Sequence, residues 1–148
     1  RVFVCGGHDG WQCLNSVECF HPASALWESL PHMAQRRASA SVAHMAGSLY
    51  VCGGHDGAQY LSSVERFRPS EGVWQTLPNM GEHRANAVAA AVGGWLYVAG
   101  GHDGAQCLSS AERFEPHEGV WERLRPMAER HVAAALAVLS GQLYICGG

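Results

Sequence analysis

Residues 50–57 have the sequence YVCGGHDG, and this stretch decides the fold because it recurs at a fixed interval. The pattern is FVCGGHDG at residues 3–10 and YVAGGHDG at 97–104, and YICGG follows at 144–148. The glycine pairs begin at positions 6, 53, 100 and 147, so each copy lies 47 residues after the one before. Self-similarity at a period of about 20–50 residues is typical of solenoids, propellers and repeat arrays.

The rest of the chain keeps the same step. Residues 53–99 and 100–146 are identical at 26 of 47 positions without a gap, which chance does not produce. The recurring positions hold glycine pairs, one glutamate, one tryptophan and, in two units, an arginine. They are Gly6, Gly7, Gly53, Gly54, Gly100, Gly101, Glu18, Glu65, Glu112, Trp27, Trp74, Trp121, Arg37 and Arg84.

Within one unit the segments are short and favour β-strands. Residues 48–52, 63–67 and 73–76 alternate in polarity or carry β-branched and aromatic side chains, and we predict a strand at each. The glycines after Cys52 and the pair Glu71-Gly72 predict turns, because glycine tolerates a positive φ. Each unit is therefore predicted to be a set of antiparallel strands.

A fourth segment in each unit is rich in small residues, at 38–44, 85–91 and 132–138. Alanine favours helices, so a short helix is the alternative. In a four-stranded unit the innermost strand has the least room, and we expect these segments to be inner strands. The tryptophans would then lie on outer strands, where wide rings fill the space between units.

This pattern resembles the kelch repeat, whose units each form one four-stranded propeller blade. The residues that carry the resemblance are Tyr50-Val51-Cys52-Gly53-Gly54, Val64-Glu65-Arg66-Phe67, Pro69, Trp74, Met80 and Arg84. The WD type fits poorly, because its period is nearer 40 residues and this chain has no Trp-Asp pair. The resemblance implies an all-β, kelch-type β-propeller segment of antiparallel blades.

We therefore expect residues 1–148 to be a partial kelch domain, with incomplete units at about 1–37 and 132–148 and full units at 38–84 and 85–131. Propellers have about 4–8 blades, so about three blades do not close a ring. We expect a piece of a longer protein, whose open edges could also self-associate. The chain departs from the motif at Cys19 and at His131, where arginine is expected.

Composition and charge narrow the partners. The net charge is −3 and no long basic run occurs, so nothing indicates nucleic-acid binding. No apolar run approaches the roughly 18 residues that cross a bilayer, and no membrane partner is expected. The cysteine positions also accept alanine or tyrosine, as at Ala99 and Tyr60, so we expect reduced thiols and a cytoplasmic location.

The three His-Asp-Gly turns raise two chemical alternatives, phosphate binding and metal binding. They lack the lysine and the following helix of a phosphate-binding loop. The histidines lie on different units, and a metal needs ligands that converge. We expect Asp9, Asp56 and Asp103 to stabilise turns, and we expect no metal and no cofactor.

The resemblance also implies a binding surface, because in kelch proteins the residue after the glycine pair lies in a loop at one mouth of the propeller. That residue is His8, His55 or His102. Two further loop positions of kelch-like adaptors often face the bound peptide, and Trp11 is a candidate anchor. In this chain they are Ala38, Ala85 and Val132, and Cys13, Tyr60 and Cys107. Small apolar residues argue against specificity for acidic peptides.

The recurring glutamates and arginines have two interpretations, a charged binding face or ion pairs that fix the loops between blades. We favour ion pairs, because a buried charge without a partner costs a few kcal/mol.

Three functions remain open. The first is a protein-interaction module, the substrate-recognition part of a kelch-like adaptor for a cullin-type ubiquitin ligase, with the cullin components bound outside this chain. The second is an actin-binding or scaffolding kelch protein. The third, a kelch-fold oxidase, needs tyrosine, histidine and cysteine at one copper site. Tyr50, Tyr97 and Tyr144 instead repeat as predicted core residues, so we expect no enzyme.

Overall fold

The computed structural model describes all residues from Arg1 to Gly148 and contains thirteen β-strands and no helix. No helix is therefore available that is long and apolar enough to cross a membrane. The strands are β1 Val2–His8, β2 Cys13–His21, β3 Leu26–Leu30, β4 Ser41–Met45, β5 Ser48–Cys52, β6 Val64–Arg68, β7 Val73–Leu77, β8 Val88–Val92, β9 Trp95–Ala99, β10 Ala111–Glu115, β11 Val120–Arg123, β12 Ala135–Leu139 and β13 Gln142–Cys146.

The strands form four antiparallel sheets, which we call blades 1 to 4. Blade 1 contains β1, β2 and β3, blade 2 contains β4 to β7, blade 3 contains β8 to β11, and blade 4 contains β12 and β13. Neighbours in sequence are neighbours in each sheet. The all-β architecture with four-stranded blades and an unclosed ring is the one predicted from the repeat.

The alanine-rich strands lie at the inner edge of their blades, as predicted. Strand β4 packs against β8, and β8 packs against β12. In blade 3, Ala90 faces Tyr97 across the β8–β9 pair. Small side chains let these strands approach one another where the blades converge. The helical alternative for these segments is wrong.

The predicted starts of the inner strands are also wrong, by three residues. The strands begin at Ser41, Val88 and Ala135 instead of 38, 85 and 132. Between the predicted and observed starts, the backbone turns through positive φ at Ser39 (54°), Asn86 (53°) and Ala133 (54°). A residue in this left-handed conformation cannot continue a strand.

Trp27, Trp74 and Trp121 lie on the outermost strands, and the last two connect the blades. Trp74 donates from Nε1 to the carbonyl oxygen of Pro31 at 2.7 Å, and Trp121 donates to Pro78 at 2.9 Å. Each acceptor belongs to the segment that follows the preceding blade. Trp27, in blade 1, has no such bond and is 54% exposed. Trp74 and Trp121 are half-buried, so the rings seal the rim and do not form the centre of the core.

The main core lies between blades 2 and 3. Tyr50, Cys52 and Val64 of blade 2 belong to one buried cluster with Val98 and Phe114 of blade 3. These side chains leave water only when both blades are in place, so neighbouring blades stabilise each other. The six cysteines of the chain are free thiols.

Candidate partner-binding surface

Two kinds of loop lie on one face of the chain, which we call the mouth. The loop of residues 53–63 connects β5 to β6 within blade 2, and the loops between blades precede β4 and β8. His55 exchanges backbone hydrogen bonds with Ala38, both at 2.8 Å. His102 and Ala85 pair in the same way, at 2.8 and 2.9 Å. The backbone therefore holds each histidine beside the loop that enters the same blade.

The glycine pair of each unit makes this arrangement possible. Gly53 has a φ of 63°, and a Cβ added there would lie 2.1 Å from the carbonyl oxygen of Arg84. That carbonyl instead accepts a hydrogen bond from the backbone of Gly54 at 2.8 Å. Only glycine gives both the backbone conformation and the space for this close approach.

Buried arginines fix the loops beneath the mouth. Arg84 donates to Glu112 at 2.9 Å and to the carbonyl oxygens of Gly100 (2.8 Å) and Ser110 (3.1 Å). Arg37 makes the equivalent bonds in blade 2, including one of 3.0 Å to Glu65. Both guanidinium groups are inaccessible to solvent. The geometry agrees with the ion-pair interpretation for Glu65 and Glu112.

The two end units depart from this network. Glu18 is exposed, and the arginine that pairs with the other two glutamates lies 28 residues earlier, a position that for Glu18 falls before Arg1. At the third arginine position, the Nδ1 of His131 lies 2.6 Å from the carbonyl oxygen of Gly147. That contact corresponds to the bond from Arg84 to Gly100, so histidine keeps one of the arginine contacts.

The aspartates of the His-Asp-Gly turns have the predicted structural role. The Oδ1 atom of Asp56 accepts hydrogen bonds from the backbone of Ala58 (2.8 Å) and Gln59 (2.9 Å). These two bonds hold the pKa of Asp56 below its usual value, because they stabilise the carboxylate. Asp9 and Asp103 make the same two bonds, and their pKa values are lowered for the same reason.

The histidines of these turns each have one ring nitrogen engaged. The Nδ1 of His55 accepts a hydrogen bond from the backbone of Gly57 at 3.0 Å. His8 accepts from Gly10 at 3.0 Å and His102 from Gly104 at 2.9 Å. The neutral ring then carries its proton on Nε2. Nε2 has no protein partner in any of the three, so three equivalent donors remain free for a ligand.

Aromatic packing joins the mouth of blade 2 to that of blade 3. The Tyr60 ring lies 4.9 Å from the ring of His55 and 5.5 Å from that of His102, measured between centroids. A Cβ added to Gly104 would come within 3.0 Å of the Tyr60 ring, so the ring lies directly on the neighbouring turn. Tyr60 thereby fixes the relative position of two mouth loops.

A shallow depression of about 370 Å³ opens at the centre of the mouth. Six of the residues predicted from the resemblance line it. These are His8, Cys13, Ala38, His55, Tyr60 and Ala85. Of these, Cys13 is buried and presents little surface to a ligand. Loops associated with blades 1, 2 and 3 all contribute to this depression.

The other predicted mouth residues lie outside the depression. Trp11 is 93% exposed at the tip of the first loop. The ring of His102 packs against Tyr60, which lines the depression, and Cys107 forms a backbone bridge with His102. The carbonyl oxygen of Val132 lies beside Gly148 in the fourth unit. Six of the ten predicted binding residues therefore line the depression, and the other four lie elsewhere in the loops.

Two polar residues of the depression, Ser39 and Asn86, were not expected from the sequence. They follow Ala38 and Ala85 directly, inside the segments 38–44 and 85–91 that the sequence predicts to be strands. Asn86 donates its backbone N–H to Ser39 at 2.8 Å and accepts from Ala133 at 2.9 Å. A polar residue within each run of small residues was the available signal.

No three histidine, cysteine or acidic side chains come together as a metal site. Tyr50, one of the tyrosines considered for copper chemistry, is buried in the core between the blades. The mouth instead offers hydrogen-bond donors, small apolar residues and an exposed indole. This combination suits the recognition of a peptide segment.

Comparison with known proteins agrees with this architecture. The family model described as "Kelch motif" matches residues 1–34, 36–81 and 83–128. A mouse (Mus musculus) protein, Kelch-like protein 35, is 40% identical over 50 residues, which are 34% of this chain and 9% of that protein. The match therefore spans less than a tenth of the relative. With motifs matched across most of its length, the chain belongs to the kelch-repeat family.

Proposed function

We propose that the mouth binds a short segment of a target protein and that the chain has no catalytic role. Loops from three blades converge on one depression, and this observation carries the proposal. A site that depends on several blades forms only in the folded propeller. Ligand recognition by loops on a rigid scaffold is a common arrangement in proteins.

The lining residues define the kind of segment that fits. The free Nε2–H groups of His8 and His55 in the lining, and of His102 outside it, donate to backbone carbonyls or side-chain acceptors. Ala38 and Ala85 give apolar contact and add no positive charge that would select an acidic peptide. Trp11 adds a large exposed ring at the rim, of the kind that forms binding hot spots.

In the full-length protein, we propose that this segment belongs to a substrate of a cullin-type ubiquitin ligase. The support is the resemblance to kelch-like adaptors and the partial match to a kelch-like protein. The cullin components would contact parts of the protein outside these residues. The proposal includes a cytoplasmic location, because buried Cys52 has alanine at its counterpart Ala99 and its position does not depend on a disulfide.

The mouth is tested by selecting peptides from a random displayed library against the 148-residue chain and measuring their affinities by calorimetry. Tyr60→Ala and Trp11→Ala each weaken the selected peptides at least about tenfold, as expected for hot-spot residues. Trp27→Ala is the matched control, because it removes an exposed tryptophan from an outer strand. If Tyr60→Ala and Trp11→Ala bind the peptides as tightly as the parent chain does, the peptides bind elsewhere and the mouth proposal is refuted.

The ligase role has its own test in the full-length protein. Immunoprecipitated protein is assayed for cullin and for ubiquitylation of a target that carries the selected sequence. Cullin association with loss of target ubiquitylation in Tyr60→Ala supports the adaptor role. Peptide binding without cullin association contradicts the ligase role and leaves the mouth proposal intact.

A further inference from the structure

A second opening lies on the face opposite the mouth, between blades 2 and 3. Its volume is about 610 Å³, and it is bounded by the β4–β5 and β6–β7 turns and by residues of blade 3. Its polar lining includes Ser48, Tyr50, Arg66, Arg68, Glu71 and His117. We call it the turn-side groove. None of the mouth residues contributes to it.

The repeat itself shows what is missing from the turn-side groove. In blade 3 the ring of Trp95 covers Arg113, with the guanidinium carbon 4.0 Å from the ring centroid. The positions 47 residues earlier hold Ser48 and Arg66. Serine at that position leaves the guanidinium of Arg66 without an aromatic cover. The turn-side groove thus leaves uncovered in blade 2 a guanidinium face that the Trp95 ring covers in blade 3.

The hydrogen bonding of Arg66 is incomplete in the same way. In blade 3, the Nε of Arg113 donates to the carboxylate of Glu122 at 2.7 Å. In blade 2 the matching residue is the neutral Gln75, whose side-chain oxygen accepts from Nη2 of Arg66 and from Nη2 of Arg68, but not from Nε of Arg66. The Nε of Arg66 is shielded from solvent and has no partner. A carboxylate is therefore missing in blade 2 together with the ring.

The other charges at the turn-side groove do not replace that carboxylate. Glu71 is paired with Arg68 at 3.2 Å, and His117 is the remaining titratable group on the blade 3 side. The guanidinium of Arg66 is the cation that lacks a carboxylate partner. Stacking on an arginine plane and pairing with its charge are both favourable when water is excluded.

We propose that the turn-side groove binds a partner protein through an aromatic side chain that stacks on Arg66, with an adjacent carboxylate that pairs with its charge. The aromatic ring and the carboxylate of the partner take the places that Trp95 and Glu122 occupy beside Arg113 in blade 3. This site is separate from the mouth and goes beyond the proposed substrate recognition. A protein that uses both faces could bind two partners at once.

The test is an NMR titration of the ¹⁵N-labelled 148-residue chain with acetyl-Glu-Trp-amide. The Nε–H signal of Arg66 and the amide signal of Ser48 shift saturably at millimolar peptide. Acetyl-Glu-Ala-amide gives no saturable shift, because it lacks the ring. Acetyl-Gln-Trp-amide binds more weakly, because it lacks the charge.

Three variants sharpen the result. Arg66→Lys keeps the charge but removes the planar group, and it weakens binding about tenfold. Ser48→Trp fills the turn-side groove from within and has the same effect. Arg113→Lys is the matched control in blade 3 and leaves binding unchanged.

Three outcomes would overturn the proposal. The first is the absence of a saturable shift with acetyl-Glu-Trp-amide, and the second is equal affinity in the parent chain and Arg66→Lys. The third is a set of shifts confined to Tyr60 and His55, which would show that the peptide binds at the mouth. Arg66→Lys gives an answer even where Ser48→Trp fails to fold, because Arg66 is only partly buried and lysine adds no bulk.

Discussion

Arg84 and Glu112 form a buried ion pair, with 2.9 Å between Nη2 and Oε1. The carbonyl oxygen of the same arginine accepts from Gly54 of the preceding blade. One residue therefore holds two blades, through its backbone on one side and its side chain on the other. Arg37 joins blades 1 and 2 in the same manner, through Gly7 and Glu65.

Replacing Arg84 with alanine leaves Glu112 buried without its charge partner. We expect the free energy of unfolding to fall by about 3–5 kcal/mol, as for other broken buried pairs. Chemical denaturation of the two proteins measures the change. Arg68→Ala breaks the exposed pair with Glu71 and serves as the control, with a loss below about 1 kcal/mol. Equal melting temperatures for Arg84→Ala and the parent chain would show that the pair does not hold the blades together.

Trp74→Ala tests the contact between outer strands. The change removes the bond to Pro31 and half-buried apolar area, and we expect a loss of about 2–3 kcal/mol. Trp27→Ala is a close match, because Trp27 also stacks on a phenylalanine but makes no bond between blades. It should cost less than about 1 kcal/mol. Similar losses in the two variants would contradict the assignment of Trp74 to the seam between blades.

Much of this structure follows from the spacing of a few residues. The glycine pairs, the tryptophans and the two Arg–Glu pairs have the same environment in each full unit, so their recurrence was enough to predict strands, blade edges and buried ion pairs. The turns before β4 and β8 were missed, because only Asn86 is a residue type that favours a positive φ, whereas the equivalent Ser39 and Ala133 are not. Glu18 follows the sequence pattern, and the position of its arginine partner, 28 residues earlier, falls before Arg1.

The mouth and the turn-side groove differ in how far they could be predicted. His8, His55 and Tyr60 follow from the resemblance to kelch proteins, because loop positions are shared across the family. The turn-side groove depends on a single difference between units, Ser48 against Trp95. The recurring residues do not reveal such a difference. The packing of blades 2 and 3 shows that the smaller serine side chain leaves an open groove.

Thiol labelling tests the burial of the cysteines. Burial raises the pKa of Cys52 to about 12 and that of Cys5 to about 11. Cys146 is exposed. With iodoacetamide near neutral pH, we expect the native chain to be labelled at Cys146 and not at Cys52, because the thiolate is the reactive form. Mass spectrometry of the digested protein locates the label. Equal labelling of Cys52 and Cys146 before unfolding would refute the packing of blades 2 and 3.

The turn aspartates predict a loss of stability in acid. The pKa values of Asp9, Asp56 and Asp103 are lower in the folded chain than the ordinary value of about 3.9. Their contribution is therefore complete above that value and is lost as pH falls through the lower, folded pKa values. Urea denaturation between neutral and strongly acidic pH measures this dependence.

The control for the acid effect is the chain with all three aspartates changed to asparagine. Asparagine keeps an acceptor oxygen for the turn but does not titrate. As pH is lowered from above to below about 3.9, the free energy of unfolding of the triple variant should fall less than that of the parent chain. Identical pH profiles for the two proteins would mean that these carboxylates do not contribute.

The central claim is that each 47-residue unit forms a four-stranded blade whose alanine-rich segment is the inner strand. The most direct test is the set of backbone NOEs and ¹³Cα shifts of residues 85–92 in the 148-residue chain. The structure predicts extended-strand shifts for Val88–Val92 and cross-strand NOEs between Ala90 and Tyr97. Helical shifts with sequential amide NOEs through this segment, and no contact to Tyr97, would contradict the blade architecture and the mouth built on it.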